Sequence, residues 1–336
     1  MSKYKIAIIV VWFGPLPDYF SMWLRSAEMN SDVDFFLLSD QKVKSECPNI
    51  HIERTTLEQE VARASRELKK EVSIHSAYKF CDVRPYFGRI YHERLKGYDF
   101  WGYCDIDLVF GNIRSFLTDE VLTQYERFYE WGHFSLFRNN EKINHIYDLP
   151  GSVFSEKETL CGAEKVFSEE DFGLNRICEK NNIRWYKEND YAEFWIIYPD
   201  LVLPHGRQNY EHQVFYWEDG HAYRTGIDEY GKLVTNEYIY MHWQSRKPIP
   251  DENALCQNAF YITTETFVTK GRGVPDIESI EQMAPGLDSK TRKHLKRKYI
   301  VSKTVEFLKA PLSRKKIWFR QKWMMLTERG TILEQE

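Results

Sequence analysis

The chain has 336 residues, 43% of them hydrophobic and 15% aromatic, which is enough for a substantial core and unlike a disordered composition. The net charge is −4, no run of 18 apolar residues occurs, and the six cysteines form no C-x-x-C pair. These features argue against a membrane span, a zinc ribbon or a disulfide scaffold, and suggest reduced thiols in a cytosolic protein.

In chain order, the opening MSKYKIAIIVVWFGP lacks a small-residue cleavage site and reads as a first strand, Tyr4 to Phe13, rather than a signal peptide. Gly14 and Pro15 end it, and Asp18 to Met29 reads as helical. Val33 to Leu38 is a second buried strand and Ile50 to Glu53 a short third. Thr56 and Gln59 make a capping box for a helix running to about Lys70. Phe80, Val83, Phe87 and Ile90 form one helical stripe, which Pro85 should kink. A strand over Trp101–Phe110, a helix near Thr118–Phe128 and a strand over Gly132–Phe137 follow. After Pro150 the pattern loosens: Val153–Glu170 is loop-rich, Phe172–Glu179 reads as a helix, and Trp195–Leu203 and Tyr238–Trp243 read as strands. Strands alternating with helices over the first 110 residues predict a mostly parallel, doubly wound α/β sheet. Ligands bind such sheets outside the carboxyl ends of the strands, which puts Trp12, Phe13 and Gly14 on one rim with Asp105 and Asp107.

Those two aspartates are the strongest local signal. They stand in WGYCDIDLVFGNI, Trp101 to Ile113, amid apolar and aromatic residues. Side chains two apart on a strand face the same way, so Asp105 and Asp107 adjoin while Ile106 turns to the core. Two half-buried carboxylates repel and lose hydration, so a cation must offset them or they must lie at a strand end beside a cleft. An isolated D-x-D is ordinarily a solvated strand end. The apolar flanks favour a hard divalent ion shared with substrate phosphates.

A strand ending in D-x-D, after a helix carrying Lys79, Asp82 and Arg84 in YKFCDVRPYFG, resembles the GT-A class of nucleotide-sugar-dependent glycosyltransferases. It is similar to glycosyltransferase families 8 and 32 and to bacterial enzymes of capsule and lipopolysaccharide assembly, with Tyr78 to Gly111 carrying most of the likeness. The resemblance implies an α/β, GT-A-like (Rossmann-like), mostly parallel sheet flanked by helices. It further implies that Asp105 and Asp107 hold Mn²⁺ or Mg²⁺ on the diphosphate of a UDP-sugar donor. Lys79, Asp82 and Arg84 would contact the donor sugar, although Asp82 lies 23 positions before Asp105, further than the pattern has it. The plain alternative for Lys79 and Asp82 is an i,i+3 ion pair on a wet helix face. Trp12, Phe13 and Gly14 are candidates for base and ribose.

YIYMHWQSRKPI resembles the C-terminal H-x-x-x-x-x-K-P segment of family 8 with one residue fewer. His242 would then be a metal ligand, with Arg246 or Lys247 on the diphosphate; a lone histidine in an aromatic strand is otherwise an ordinary core residue. In FSEEDFGLNRI, Glu170 and Asp171 could be helix-start acids complementing the dipole. The GT-A resemblance equally implies that one of them is the catalytic carboxylate beside the acceptor, and neither is preferred.

Thirteen Lys or Arg stand against one acid from Lys290 to Lys322, so this segment is +12 and the remainder −16. Val301, Val305, Leu308 and Leu312 share a helical face there, which suits an anionic membrane surface better than nucleic acid; a packed helical lid is the alternative. The organisation expected is a catalytic domain over 1–270, with a donor half 1–115 and an acceptor half 116–250. A linker, 271–289, then leads to a basic α-helical C-terminal appendage, 290–336. The expected acceptor is a glycan or lipid-linked glycan, and the expected location is cytoplasmic, peripheral to the inner face of the membrane. Two rivals remain at this level. A sugar-nucleotide nucleotidyltransferase would need a Gly-rich loop after the first strand, which is absent; a non-catalytic sugar- or lipid-binding protein would not turn over donor.

Overall fold

The computed structural model describes residues 3–204, 206–286 and 289–333; His205, residues 287–288 near the end of the expected linker and the last three residues of the expected appendage lie outside them. Strands β1 (Ile6–Trp12), β2 (Val33–Ser39), β3 (Ile50–Arg54) and β4 (Phe100–Cys104) are mutually parallel. Further along come β5 (Leu108–Phe110), β6 (Arg127–Phe128), β7 (Phe134–Arg138), β8 (Trp185–Tyr186) and β9 (Ala192–Glu193). The main sheet runs β3-β2-β1-β4-β7-β6-β8, with β7 antiparallel to its neighbours. This is the mostly parallel α/β sheet expected from the alternating pattern.

Alternation along β1 explains the layering. Ile6, Ile8 and Val10 enter a core with Trp23, Phe35 and Phe110, whereas Ala7 and Ile9 enter a second core with Leu68, Val83 and Phe87. The helix Phe20–Glu28 covers the first face; Leu57–Leu68 and the segment from Ala77 to Ile90 cover the second. The Thr56/Gln59 capping box is present, and Pro85 sits in a 3₁₀ turn, Cys81–Tyr86, between two short α-turns.

Strand order reverses between β1 and β4, the place where open α/β sheets form a crevice. Here the expected Trp101–Phe110 strand divides. Its first half pairs with β1 and β7, Asp105 to Asp107 leave the ladder, and β5 joins another sheet. Ile106 is buried in the core while both aspartates stay partly exposed, so the facing is as expected although the strand is broken. A continuous ladder would have held the carboxylates against packed neighbours, and the break opens them to the crevice.

The remaining strands are β10 (Gln213–Glu218), β11 (His221–Ile227), β12 (Leu233–Tyr238), β13 (Tyr240–His242), β14 (Ile249–Pro250), β15 (Ala259–Ile262) and β16 (Thr266–Thr269). They form a six-stranded sheet, β12-β11-β10-β15-β16-β14, and a small sheet, β5-β13-β9. The six-stranded sheet had no counterpart in the sequence reading. Asp219-Gly220, both at positive φ between paired Glu218 and His221, is the hairpin signal that could have found it. Its aromatic face, Trp217 with Phe260 and Phe267, packs with Trp243, and the Trp217 indole donates to the Phe110 carbonyl at 2.8 Å.

Other expected elements change for identifiable reasons. The Thr118–Phe128 helix stops at Gln124, because Arg127 and Phe128 pair with β7 and β8. No strand covers Trp195–Leu203: the chain turns at Pro199-Asp200, and Arg246 collects the carbonyls of Phe194, Trp195 and Tyr198. Tyr238–Trp243 is shared between β12 and β13, and Phe172–Glu179 starts as a π-turn, Asp171–Asn175. Within 271–289 lies a helix, Ile277–Met283, whose Ile280 packs on Val214 and Tyr216.

The chain continues in two helices, Ser289–Lys309 and Leu312–Leu333, separated at Pro311. Phe307 and Trp318 meet between them with ring centroids 4.6 Å apart. Among the described residues, no helix is long and apolar enough to cross a membrane.

Candidate functional site

The crevice has a volume of about 390 Å³, within the range of small-ligand sites. Trp12 and Phe13 from the end of β1, Tyr78 and Arg84 from the kinked helical segment, Asp105 and Asp107, and Lys165 all line it. Gly14 adjoins, at φ 95°, with its N–H held by the Asp40 carboxylate at 3.0 Å. That backbone conformation favours glycine. Asp40, at the end of β2, was not singled out from sequence.

Part of the charge question is answered within the chain. Arg84 forms an ion pair with Asp105 Oδ1 and donates to the Gly132 carbonyl at 2.6 Å. Burial alone would raise the Asp105 pKa, but the Arg84 guanidinium, then His242, hold it below the usual carboxylate range. Strand β13 pairs antiparallel with β5, His242 opposite Leu108, which sets its Nε2 3.2 Å from Asp107. Burial opposes charge on His242, yet Asp107 raises its pKa above the ordinary histidine value. Ligand atoms of Asp105, Asp107 and His242 all lie within 4.8 Å of one another. Two carboxylates and an imidazole at that spacing suit a divalent cation. Residues 135 positions apart in sequence thus meet at one point.

Lys79 and Asp82 lie elsewhere. They form the i,i+3 pair, at 2.8 Å, but inside the protein and not on a wet face. Asp82 also accepts the backbone N–H groups of Val166 and Ser168, and Lys79 donates to the Glu158 carbonyl. Together they fix the loop that carries Lys165.

Lys165 is a crevice residue that the sequence did not mark. Its ammonium lies 4.6 Å from the Tyr78 ring, 4.4 Å from the Phe167 ring and 3.0 Å from Glu169. Burial disfavours its charge, but Glu169, Cys81 and Tyr78 together raise its pKa above the ordinary lysine value. Glu169 itself is fully buried, and burial raises its pKa. Phe167 holds φ 58°, a strained value for an aromatic residue, with its ring edge-on to that of Tyr78.

Glu170 and Asp171 separate. Glu170 accepts the Gly132 N–H at 3.2 Å, on the residue whose carbonyl holds Arg84, and burial followed by Glu169 raises its pKa to about 7. Asp171 is exposed and accepts from the Asn175 amide. Likewise Arg246 is committed to four backbone carbonyls, those of Phe194, Trp195, Tyr198 and Trp243, whereas Lys247 is exposed.

No curated protein matches the chain. Solved structures similar to it at low identity include three glycosyltransferases. The galactosyltransferase LgtC, in complex with donor and acceptor sugar analogs, matches at 12% identity over 56% of this chain and 75% of its own, with a TM-score of 0.34. The glycosyltransferase GlyE of Streptococcus pneumoniae matches at 15% over 56% and 46%, with a TM-score of 0.32. Mouse xyloside xylosyltransferase 1, in its apo form, matches at 9% over 74% and 99%, with a TM-score of 0.38. A family model described as "Family of unknown function (DUF6625)" matches residues 8–271, a span that takes in all three sheets and the crevice, and the chain belongs to that family.

Proposed function

We propose that this protein is a metal-dependent glycosyltransferase that moves a sugar from a nucleotide-sugar donor, by resemblance a UDP-sugar, to a glycan or lipid-linked glycan of a surface polysaccharide. The observation that carries this reading is the convergence of Asp105, Asp107 and His242, with both aspartates lining a crevice shared by Trp12 and Phe13. Those three residues would hold Mn²⁺ or Mg²⁺, which supplies positive charge against the diphosphate as the nucleotide leaves.

The chain's own groups do the rest. Trp12 and Phe13 offer ring faces to a nucleobase. Arg84 holds one oxygen of Asp105 in place and leaves the other for a cation. Lys165, charged and fixed between two rings, neutralises phosphate oxygens, with Lys247 as a second cation; Arg246 braces backbone. Glu170, poised near neutrality, has the protonation range of a general acid or base, which favours it over Asp171 in that role. Lys79 and Asp82 set the Lys165 loop and need not touch the sugar.

The terminal helices suit an acceptor held at a membrane. Val301, Leu308 and Leu312 are exposed, and Arg320 ties the second helix to Glu158 of the loop region at 2.8 Å. A lipid surface of negative charge fits this combination of cations and uncovered apolar side chains. In domain terms, residues 1–270 would be the catalytic unit and 290–336 its membrane-facing appendage.

The deciding experiment incubates the full chain with a panel of UDP-sugars, with Mn²⁺ and with chelator. Metal-dependent binding or slow hydrolysis of one donor supports the proposal. Metal-independent behaviour toward every donor overturns it.

A further inference from the structure

The parallel pairing of β9 with β13 puts Glu193 in register with His242. Glu193 Oε1 lies 3.9 Å from His242 Nδ1 and also 3.9 Å from His133 Nε2. Both nitrogens are buried with no hydrogen-bond partner, on side chains only 8% and 6% exposed. The two imidazoles stack with centroids 4.3 Å apart, and the Tyr240 hydroxyl fixes His133 from its far side at 3.0 Å from Nδ1. The Gln244 amide anchors the same Glu193 oxygen at 2.6 Å.

Two orphaned, buried nitrogens aimed at one carboxylate need an explanation, because burying a polar group without a partner is costly. We propose that Glu193 is the positioning residue of the metal centre. It receives the Nδ1–H of His242, so that the Nε2 lone pair faces the cation shared with Asp105 and Asp107. This rests on the metal reading given above. A neutral imidazole has one N–H; placing it on Nδ1 leaves Nε2 as the ligand. A carboxylate behind a ligating histidine fixes that tautomer and ring orientation and increases the basicity of the ligand. At 3.9 Å the contact is longer than a hydrogen bond, and it closes when His242 turns Nε2 fully toward a cation. Stacked His133, pinned by Tyr240, limits the tilt of the ring and faces the same oxygen.

His133, Glu193 and His242 could instead form a separate cation site, since their ligand atoms also lie within 4.8 Å of one another. The first arrangement is favoured because a neutral His242 cannot give both nitrogens to cations. Asp105 and Asp107 also open on the crevice, whereas Glu193 does not line it.

The test is a Mn²⁺ titration of the full chain followed by electron paramagnetic resonance, with histidine nitrogen coupling to bound Mn²⁺ measured by pulsed methods. Wild type should bind one ion with nitrogen coupling, and Asp107→Ala should lose it. Glu193→Ala should bind about 10- to 100-fold more weakly with diminished coupling, and the near-isosteric Glu193→Gln should fall between them. Glu193→Gln should melt as wild type does in chelator, which separates positioning from folding. Wild-type affinity and coupling in both Glu193 variants, with Asp107→Ala inactive in binding, overturn the inference and spare the metal reading. An ion that survives Asp107→Ala and is lost in Glu193→Ala makes Glu193 a ligand, and also overturns it. Absence of Mn²⁺ binding by wild type removes the metal reading itself and this inference with it.

Discussion

The crevice and the terminal helices both concentrate charge, but they treat it in opposite ways. In the crevice each marked charge is paired: Arg84 with Asp105 and His242 with Asp107 across separate segments, and Lys165 with its near neighbour Glu169. In the helices, Lys and Arg predominate over a stretch of +12, and the apolar residues interleaved with them stay exposed. Two ion pairs, Arg292 with Asp200 and Arg320 with Glu158, tie the helices to the body. A site assembled from distant segments should fail when one member is removed, whereas a surface of many similar cations should weaken gradually. Four experiments exploit that difference.

The largest effect is expected at the metal ligands. Asp107→Ala should abolish Mn²⁺-dependent UDP binding while leaving the fold intact, because the residue is partly exposed and His242 is the partner it leaves. Calorimetric titration with and without chelator checks this, and wild-type affinity in the variant would break the contrast at its stronger end.

Next is the truncation after Gly286. Each Lys or Arg near an anionic surface contributes about 1 kcal/mol, so engaging a few of the thirteen gives a hundredfold or more in vesicle affinity. Full-length protein should bind anionic vesicles in a salt-sensitive way and neutral ones weakly, and the truncated chain should lose this but keep UDP binding. Equal sedimentation of both forms with vesicles would end the membrane reading. Collapse of the truncated chain would instead show that the helices serve as a packed lid.

A smaller effect is expected at Lys165. Lys165→Met keeps the aliphatic stem between Tyr78 and Phe167 but removes the charge, and UDP affinity should fall about tenfold, the scale of one charge-assisted hydrogen bond. Uridine, which has no phosphate, should bind both forms alike. An equal loss for uridine would mean that the variant damaged the crevice instead.

The smallest effect concerns Glu170. Its pKa in the folded chain, about 7, is raised by burial and then by Glu169, against an ordinary value near 4.3. A carboxyl raised on folding favours the folded state most below its unfolded pKa, and that contribution is lost as pH rises through about 7. Glu170→Gln should therefore be more stable than wild type at pH 8 and little changed at pH 4, while donor turnover falls. Thermal melts at the two pH values check the sign, and an equal shift at both would remove Glu170 as the titrating group.

How much of this was legible beforehand depends on the range of the signal. The β1 and β2 runs, the Thr56 capping box and the Pro85 kink are local patterns, and all were found. Asp105 and Asp107 stood out because carboxylates in an apolar run contradict their surroundings. Lys165 and Glu169 did not, since an i,i+4 pair in a loop-rich stretch looks like any solvated pair until burial is known. Glu193 lies in an unremarkable segment, and its meaning comes from the strand beside it.

Sequence by itself determined that β1 and β2 are buried runs and that Asp105 and Asp107 face away from Ile106, because side chains alternate with a period of two and apolar groups leave water. The basic character of residues 290–322 is likewise a matter of composition alone. Tertiary structure alone decided that the D-I-D strand would break between two sheets, that β13 would carry His242 to Asp107, and that Lys79 and Asp82 would turn inward. Those outcomes depend on strand register and on loops that close over more than a hundred residues. A residue-by-residue pattern carries no information about which distant partner will satisfy a charge, and that pairing is what makes the crevice a candidate site.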